Sequence, residues 1–188
     1  LKEGLLSLNE TAFGQRYLLD FVVPGGTRAD MDATACDGLA AYVRALTSEA
    51  KLLHDIYAEH AGVRDRFSGA GAVAPELAAR LGLTGLAGRA SGQAFDLRVD
   101  LPCEPYADLA PRKLGRRDGD VAARVHLRFD ELFESCRLVL QVLRRLPAGP
   151  QREPVEVPAD GGLGGGILEG WRGPVLLALT AGARGSVC

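Results

Sequence analysis

The chain of 188 residues lacks several features that would assign it to a class of protein at once. Aromatic residues make up only 6% of it, so we expect a core built from aliphatic side chains. Charge of neither sign dominates, since 22 Lys and Arg face 24 Asp and Glu, and this argues against nucleic acid as the main partner. The content of 47% hydrophobic and 24% charged residues is that of one folded, soluble domain, with room for a small appendage.

Long apolar runs and targeting signals are also missing. No uncharged run approaches the roughly 20 residues that a membrane helix needs, so the sequence predicts no transmembrane segment. The opening Leu1-Lys2-Glu3 is charged and no apolar stretch follows it, unlike a signal peptide. Because there is no initiator Met, and because the last residues break off in a turn, we expect a fragment of a longer chain.

The metal-binding and nucleophile patterns that cysteine, histidine and serine often form are absent too. No Cys-X-X-Cys pair or Gly-X-Ser-X-Gly elbow occurs, and no histidine lies three or four residues from another. The glycine-rich run 161–166 lacks the Lys-Ser or Lys-Thr of a phosphate loop and is interpreted as a connector. We therefore predict no metal site, and reduced thiols in a cytoplasmic setting. The four cysteines are Cys36, Cys103, Cys136 and Cys188.

Helical periodicity is the strongest pattern that the sequence does contain. Apolar residues recur at spacings of three and four over 1–12, 35–57 and 121–146, which predicts one helix in each range. Asp120 is placed to cap the last of these, Pro147 to end it, and Pro75 opens a shorter helix that ends at Leu81. From 82 to 119 no period is sustained, so we expect a long irregular segment there.

These elements predict a mainly α fold. Residues 1–150 are expected to form a helical bundle core, and 151–188 a linker followed by a small β element. In that element Ile167–Gly170 and Val175–Leu179 read as the two strands of a hairpin around Trp171-Arg172-Gly173-Pro174. The apolar row expected on at least one long helix predicts self-association of the isolated chain.

Charged residues are concentrated between 89 and 102, in the irregular segment. Arg89 and Arg98 are permanently charged and must find carboxylates if they are buried, and Asp96 and Asp100 lie nearby in the chain. One interpretation is an ion-paired surface loop. The other is the polar lining of a cleft between helices, where charge is balanced around a redox group or a proton path.

A second polar row is predicted on one face of the last helix, where Arg124, Arg128, Glu131 and Ser135 recur. Arg124 and Arg128 repel each other at this spacing unless an acid joins them, and Asp96 or Asp100 could be that acid. Asp100, Arg124, Arg128 and Glu131 are therefore predicted to form a supporting ion-pair face. The alternative is an ordinary solvated helix surface.

Several motifs together resemble the large-subunit family shared by nickel–iron hydrogenases of the formate-hydrogenlyase type and respiratory complex I (NADH:quinone oxidoreductase). Each motif is weakly specific, but their joint order is more so, and Asp96, Arg98, Asp100, Pro102 and Tyr106 follow in that order. In chain order the other motifs are Leu5-Leu6-Ser7-Leu8-Asn9-Glu10, Val22-Val23-Pro24-Gly25-Gly26, Gly82-Leu83-Thr84-Gly85, Arg89-Ala90-Ser91-Gly92, Gly119-Asp120, Leu146-Pro147-Ala148-Gly149-Pro150 and Glu169-Gly170-Trp171-Arg172-Gly173.

The resemblance implies a helical core that docks against a smaller iron–sulfur subunit of a membrane-bound redox complex. Electrons would pass between that cluster and a quinone or a Ni–Fe centre of the full complex, with no cofactor held by this fragment itself. Arg89, Ser91, Asp96 and Arg98 would lie near the interfacial cavity and act by electrostatic positioning. The complex would sit on the inner, cytoplasmic face of the membrane through its other subunits.

The sequence also departs from the family pattern. Cys103 stands where the family usually has an aromatic residue, Trp171 replaces the usual Pro, and Pro174 the usual Glu. The paired cysteines that bind nickel in the hydrogenases have no counterpart here. The expected function is therefore a part of an oxidoreductase large subunit that is inactive alone. The alternative is a non-catalytic structural or interaction module that keeps the helical scaffold without a redox site.

Overall fold

The structure, a computed structural model, describes residues 2–156 and 161–182. Residues 157–160 of the expected linker, and Cys188 at the end of the chain, lie outside these ranges. The elements in chain order are α1 (Lys2–Phe13), β1 (Val22–Val23), β2 (Gly26–Thr27), α2 (Ala33–Glu59), α3 (Ala61–Phe67), α4 (Pro75–Arg80), α5 (Gly85–Ala90), α6 (Leu97–Asp100), α7 (Tyr106–Leu109), α8 (Val121–Leu143), β3 (Leu163–Gly170) and β4 (Gly173–Thr180).

The two long helices confirm the periodicity of the sequence. The carboxylate of Asp120 caps α8 by accepting hydrogen bonds from the backbone N–H of Ala123 at 2.7 Å and of Gly69 at 2.7 Å. Burial disfavours the charged carboxylate, but these two donors outweigh it and hold the pKa of Asp120 below its usual value. The helix ends at Leu143, short of the predicted 146, because Pro147 has no N–H to offer the carbonyl of that last turn.

The core lies where α2 and α5 pack on α8. Val43 and Ala50 of α2 are buried, as are Ala123 and Leu127 of α8 and Ala90 of α5, so the centre is built from small and aliphatic side chains as expected. One group of aromatic rings lies at a seam between the long helices. There the ring centroids are 5.0 Å apart for His54 and Phe129, 5.3 Å for Tyr57 and His126, and 5.6 Å for His54 and His126.

The segment 82–119 contains three one-turn or two-turn helices joined by loops, in keeping with its lack of a sustained period. It folds back on itself, because the backbone N–H of Arg116 donates to the carbonyl of Arg89 at 2.8 Å and that of Gly119 to the carbonyl of Ala90 at 2.9 Å. Gly119 has φ +65°, and a Cβ there would lie 2.0 Å from the carbonyl oxygen of Val73. The returning part of the segment therefore enters α8 directly beside Arg89.

The C-terminal hairpin is longer than predicted. β3 and β4 pair antiparallel from Leu163 with Thr180 to Gly170 with Gly173. The interpretation of 161–166 as a connector was wrong for Leu163–Gly166, because backbone pairing with the leucine-rich β4 compensates the conformational freedom of the glycines. The loop is the two-residue Trp171-Arg172, and Pro174 lies in a strand.

Apolar side chains remain exposed on α2 and on the hairpin. Leu52 and Ile56 are 60% and 52% exposed, and Leu176 of β4 is 74% exposed. The self-association expected of the isolated chain stays a prediction. No helix of the described residues is both long enough and apolar enough to cross a membrane.

Candidate functional site

A buried arginine lies at the centre of the site. Arg89 of α5 is 2% exposed, and its Nε donates to Oε1 of Glu131 on α8 at 2.7 Å. Its Nη1 donates to Oε1 of Glu169 on β3 at 2.8 Å and to the carbonyl of Phe95 at 3.2 Å. Burial disfavours the guanidinium, but the hydrogen bonds from the two carboxylates outweigh that cost and raise the pKa of Arg89 above its usual value.

Glu169 connects three elements of the site. Besides Arg89 on α5, it accepts a hydrogen bond at Oε2 from the backbone N–H of Leu97 at the start of α6, at 3.2 Å. Sequence reasoning placed Glu169 only in a turn motif and missed it as the partner of Arg89. The one signal available was a carboxylate at the inner end of an otherwise apolar strand, 80 residues from Arg89.

Asp96 and Arg98 form a second, bidentate pair beside the first. Nη2 of Arg98 donates to Oδ2 of Asp96 at 2.7 Å and Nε donates to Oδ1 at 3.0 Å. Asp96 also caps α6 through the backbone N–H of Arg98 at 3.0 Å. Burial raises the pKa of Asp96, but the hydrogen bonds and charge of Arg98 prevail, so the pKa lies below its usual value.

The predicted pairing of Arg124 and Arg128 with Asp96 or Asp100 was wrong. Asp96 is occupied by Arg98, and Asp100 pairs with Lys113, because α6 turns both carboxylates toward its own segment. Arg124 donates to the backbone carbonyls of Gly71 and Gly119, each at 2.8 Å.

The remaining members of the predicted ion-pair face go elsewhere as well. The guanidinium carbon of Arg128 lies 5.1 Å from the ring centroid of Trp171. Glu131 turns to Arg89. Of the predicted face on α8, Glu131 thus joins the buried cluster around Arg89, whereas Arg124 and Arg128 make their contacts outside that cluster.

A cavity of about 320 Å³ opens beside the cluster, between α5, α8 and the hairpin. Arg89 and Arg98 line it, whereas Ser91 and Asp96 are buried and do not line it. Ser91 is fully buried, and its Oγ has no hydrogen-bond partner among the described residues. Of the four residues predicted near an interfacial cavity, Arg89 and Arg98 thus line this opening and Ser91 and Asp96 do not. The other charged, polar or aromatic residues of the wall are Arg128, Glu131, Ser135, Glu169 and Trp171.

Close backbone packing holds the hairpin tip, and with it Glu169, in place. Gly85 opens α5 with φ +60°, and a Cβ there would lie 1.9 Å from the carbonyl oxygen of Arg172. Gly173 has φ +132°, and a Cβ there would lie 3.0 Å from Oγ1 of Thr84. Only glycine allows these two backbones to meet, so the position of the Glu169 carboxylate depends on them.

A second buried carboxylate lies further along α8. Glu134 is fully buried and accepts hydrogen bonds from the backbone N–H of Arg112 at 2.9 Å and from Nε of Arg137 at 2.9 Å. The side-chain hydrogen bonds of Arg137, followed by those of Arg112, lower the pKa of Glu134 to about 2. This cluster fixes the loop before α8 and does not line the cavity. It was not predicted from the sequence as an ion pair.

The described residues offer fixed charges and no metal ligands. Within 2–156 and 161–182, no three His, Cys, Asp or Glu side chains come together in a way that could hold a metal ion. Cys36, Cys103 and Cys136 are all free thiols, so these residues do not form the thiolate set that a Ni–Fe centre needs. What the cavity wall can do chemically is electrostatic: it presents oriented charges to whatever occupies or faces the opening.

Comparison with known proteins assigns the family. Residues 1–160 match the family described as "Respiratory-chain NADH dehydrogenase, 49 Kd subunit". The chain belongs to this family. The match includes the whole of α1 to α8 and ends before β3, so Arg89 and Glu131 lie inside it and Glu169 lies outside.

Named relatives agree with this assignment. The chain is 34% identical over 154 residues to "NADH-quinone oxidoreductase subunit 4" of Thermus thermophilus, covering 81% of this chain and 37% of that one. It is 30% identical over 152 residues to an NADH-quinone oxidoreductase subunit of Bacteroides fragilis, covering 81% of this chain and 29% of that one. The chain thus spans well under half the length of these relatives.

The fold also recurs in a solved structure. The chain is similar, with a TM-score of 0.86 and 24% identity, to a chain of the membrane-bound sulfane sulfur reductase, described as an archaeal respiratory membrane complex. The likeness covers 95% of this chain and 50% of that chain. It extends the agreement in fold beyond residue 160 to the hairpin.

Proposed function

We propose that this chain is part of the large subunit of a membrane-associated redox complex of the NADH:quinone oxidoreductase type. We further propose that its charged cavity faces a neighbouring subunit that carries an iron–sulfur cluster. The observation that carries the proposal is the burial of Arg89 between Glu131 and Glu169 at the wall of an open cavity. The names of the relatives support the type of complex.

The role that these residues support is electrostatic. Arg89 with its two carboxylates, and Arg98 with Asp96, hold charges that hydrogen bonds between the partners keep in place. Fixed charges near a cluster set its reduction potential, since they interact differently with the oxidised and the reduced form. A quinone or a Ni–Fe centre of the full complex would exchange electrons with that cluster, and no bond is made or broken by the residues of this chain.

The proposal is tested by Arg89→Met and Arg89→Lys in the full complex. Removing a positive charge disfavours the reduced cluster, so Arg89→Met is expected to lower its midpoint potential in an EPR redox titration and to slow turnover. Arg89→Lys keeps the charge and is expected to shift the potential less. Arg116→Met, at a partly exposed pair with Asp130, serves as the matched control and should change neither.

If the Arg89→Met complex assembles and the midpoint potential of the cluster and the turnover are both unchanged, the proposal is wrong. Arg89 would then belong to an ion-paired loop that has no influence on the cluster. Should Arg89→Met prevent assembly, the Arg89→Lys complex decides, because its altered geometry still moves the charge relative to the cluster. The same null result would favour the second candidate, a scaffold module without a redox site. That candidate draws some support from Trp171, Pro174 and Cys103, which depart from the family pattern.

A further inference from the structure

The two long helices meet at a pair of histidines. His54 of α2 and His126 of α8 lie edge to face, with ring centroids 5.6 Å apart and ring planes inclined at 69°. Two aromatic rings adjoin the pair, since Tyr57 lies 5.3 Å from His126 and Phe129 lies 5.0 Å from His54. We call these four residues the histidine seam. None of them lines the charged cavity or pairs with Arg89.

The charges around His126 give it no acidic partner. Asp130 favours a protonated imidazole, but Nη2 of Arg116 donates to its carboxylate at 2.7 Å, and Arg116 itself disfavours a protonated imidazole. Asp120 also favours protonation, but both of its oxygens accept hydrogen bonds from backbone N–H groups. In the part of the chain that the structure describes, no carboxylate forms an ion pair with His126.

The rest of the histidine seam is mostly apolar. His54 has one acidic neighbour, the exposed Asp55, whose Oδ1 lies 3.6 Å from Nδ1 of the ring. The hydroxyl of Tyr57 is buried and has no hydrogen-bond partner among the described residues, and from α3 the charge of Arg64 acts on it. A positive charge that arrives at His126 therefore meets aromatic rings and a second imidazole.

We propose that the histidine seam is a pH-sensitive contact, which joins α2 to α8 at neutral pH and loosens in weak acid. An uncharged imidazole packs among aromatic rings much as an apolar side chain does. Two protonated imidazoles at this separation repel each other by enough to change an equilibrium constant roughly tenfold. On the α5 side of α8 the charged group is Arg89, which Glu131 and Glu169 already match, so protonation does not disturb that contact. The inference does not rest on the redox role proposed above.

The direction of the pH dependence follows from His126. Burial, then the charge of Arg116 and the neighbouring His54, lowers the pKa of His126 below its ordinary value of 6.5. The unfolded chain therefore binds this proton more readily than the folded chain. The stability that the histidine seam contributes is complete above pH 6.5 and is lost as the pH falls through the lowered pKa. Glu134 acts below pH 4.5, so the range from pH 7.5 to pH 5 reports on the histidines.

Urea unfolding of the 188-residue chain at pH 7.5 and at pH 5 tests the proposal. His126→Phe removes the titrating ring and keeps an aromatic side chain. Between the two pH values, the unfolding equilibrium constant of the parent chain should rise by roughly tenfold more than that of this variant. Phe129→Leu is the matched control, because it alters the same contact without changing a charge, and it should keep the full pH dependence of the parent. The same pH dependence in His126→Phe as in the parent would overturn the proposal.

A second variant keeps the test decisive if His126→Phe does not fold. His54→Phe removes the facing imidazole from the opposite helix, so His126 should titrate at a higher pH in this variant than in the parent chain. NMR titration of the imidazole resonances measures both values. In the parent chain we expect the pKa of His126 to lie below 6.5. A value at or above 6.5, or one that His54→Phe leaves unchanged, would overturn the mutual repulsion.

Hydrogen exchange locates the loosening within the fold. After correction for the intrinsic effect of pH on exchange, the amides of α2 around His54 should lose protection between pH 7.5 and pH 5. The amides of α8 around the buried Glu134 should retain theirs. Equal loss in both places would show general unfolding and would overturn a contact that opens locally. None of these readouts involves electron transfer, so they succeed or fail independently of the redox role.

Discussion

At the scale of single residues, Arg89 decides how the site is built. A buried guanidinium is tolerated only where carboxylates and carbonyls meet it, and here Glu131, Glu169 and the carbonyl of Phe95 do so from three different parts of the chain. The same three contacts fix the cavity wall. Arg89 therefore contributes to both the stability of the fold and the charge of the cavity.

Loss of Arg89 is expected to be costly for the fold. Arg89→Met leaves the carboxylates of Glu131 and Glu169 without their partner in a mostly buried place, so the free energy of unfolding should fall by about 4 kcal/mol. Arg116→Met breaks the partly exposed pair with Asp130 and should cost about 1 kcal/mol. Urea unfolding of the two variants measures the difference. Equal effects would show that Arg89 is no more buried in solution than Arg116.

Glu134 predicts a pH dependence of stability whose sign is fixed. Its pKa is near 2 in the folded chain and about 4.5 when unfolded, so its contribution is complete above pH 4.5 and is lost as the pH falls toward 2. Glu134→Gln should lower the free energy of unfolding by about 2 kcal/mol at neutral pH. The gap to the parent chain should narrow as the pH falls below 4.5 in urea titrations. A gap that stayed constant down to pH 3 would contradict the ion-paired arrangement.

The sequence predicted most of the charged residues of the site but not the ion pairs that they form. Arg89, Asp96 and Arg98 were singled out because charge is dense there, and the structure pairs Asp96 with Arg98 two residues away. Glu169 could not be found in this way, since 80 residues separate it from Arg89 and only the hairpin brings it back. Such distant pairing is a property of the fold and leaves no local pattern.

At the scale of elements, the contact between α5 and the hairpin tip positions the site. Gly85 and Gly173 let the backbones approach so closely that no side chain fits between them. The hairpin has no other described strand beside it. Its tip is therefore held by this backbone contact together with the hydrogen bonds that Glu169, next to the last residue of β3, accepts from Arg89 and Leu97.

A pair of glycine variants separates backbone strain from this contact. Gly85→Ala introduces both a strained φ of +60° and a clash with the carbonyl of Arg172, so it should lower the free energy of unfolding by about 3 kcal/mol. Gly82→Ala has nearly the same φ, +61°, but no atom within 4 Å of the new Cβ, and should cost about 1 kcal/mol. Thermal unfolding compares the two. Equal losses would mean that the hairpin tip does not rest on α5.

The long helices were predictable and the short ones were not. α2 and α8 carry apolar rows over several turns with an aspartate at the start, and both signals act locally. α5, α6 and α7 span four to six residues each, too few for a period to show, and tertiary contacts stabilise them. The start of β3 was missed for a related reason: a glycine run becomes a strand only because β4 lies beside it.

At the scale of the whole molecule, the mainly α fold with a terminal hairpin follows from the sequence, whereas its surroundings do not. Family membership extends over residues 1–160, and the chain spans 29% to 37% of the relatives described above. Apolar residues such as Leu52, Ile56 and Leu176 are exposed. Hydrophobic periodicity predicts that such apolar faces exist, but it carries no information about the partner that covers them.

The central claim is that the charged cavity faces the cluster-bearing subunit of the complex. A photo-crosslinking amino acid placed at Trp171, at the cavity mouth, tests it in the assembled complex. Leu52 on the exposed side of α2 has a similar exposure, 60% against 63%, and provides the control position. We expect residue 171 to crosslink to the iron–sulfur subunit and residue 52 not to do so. Crosslinking to that subunit from residue 52 alone would contradict the account.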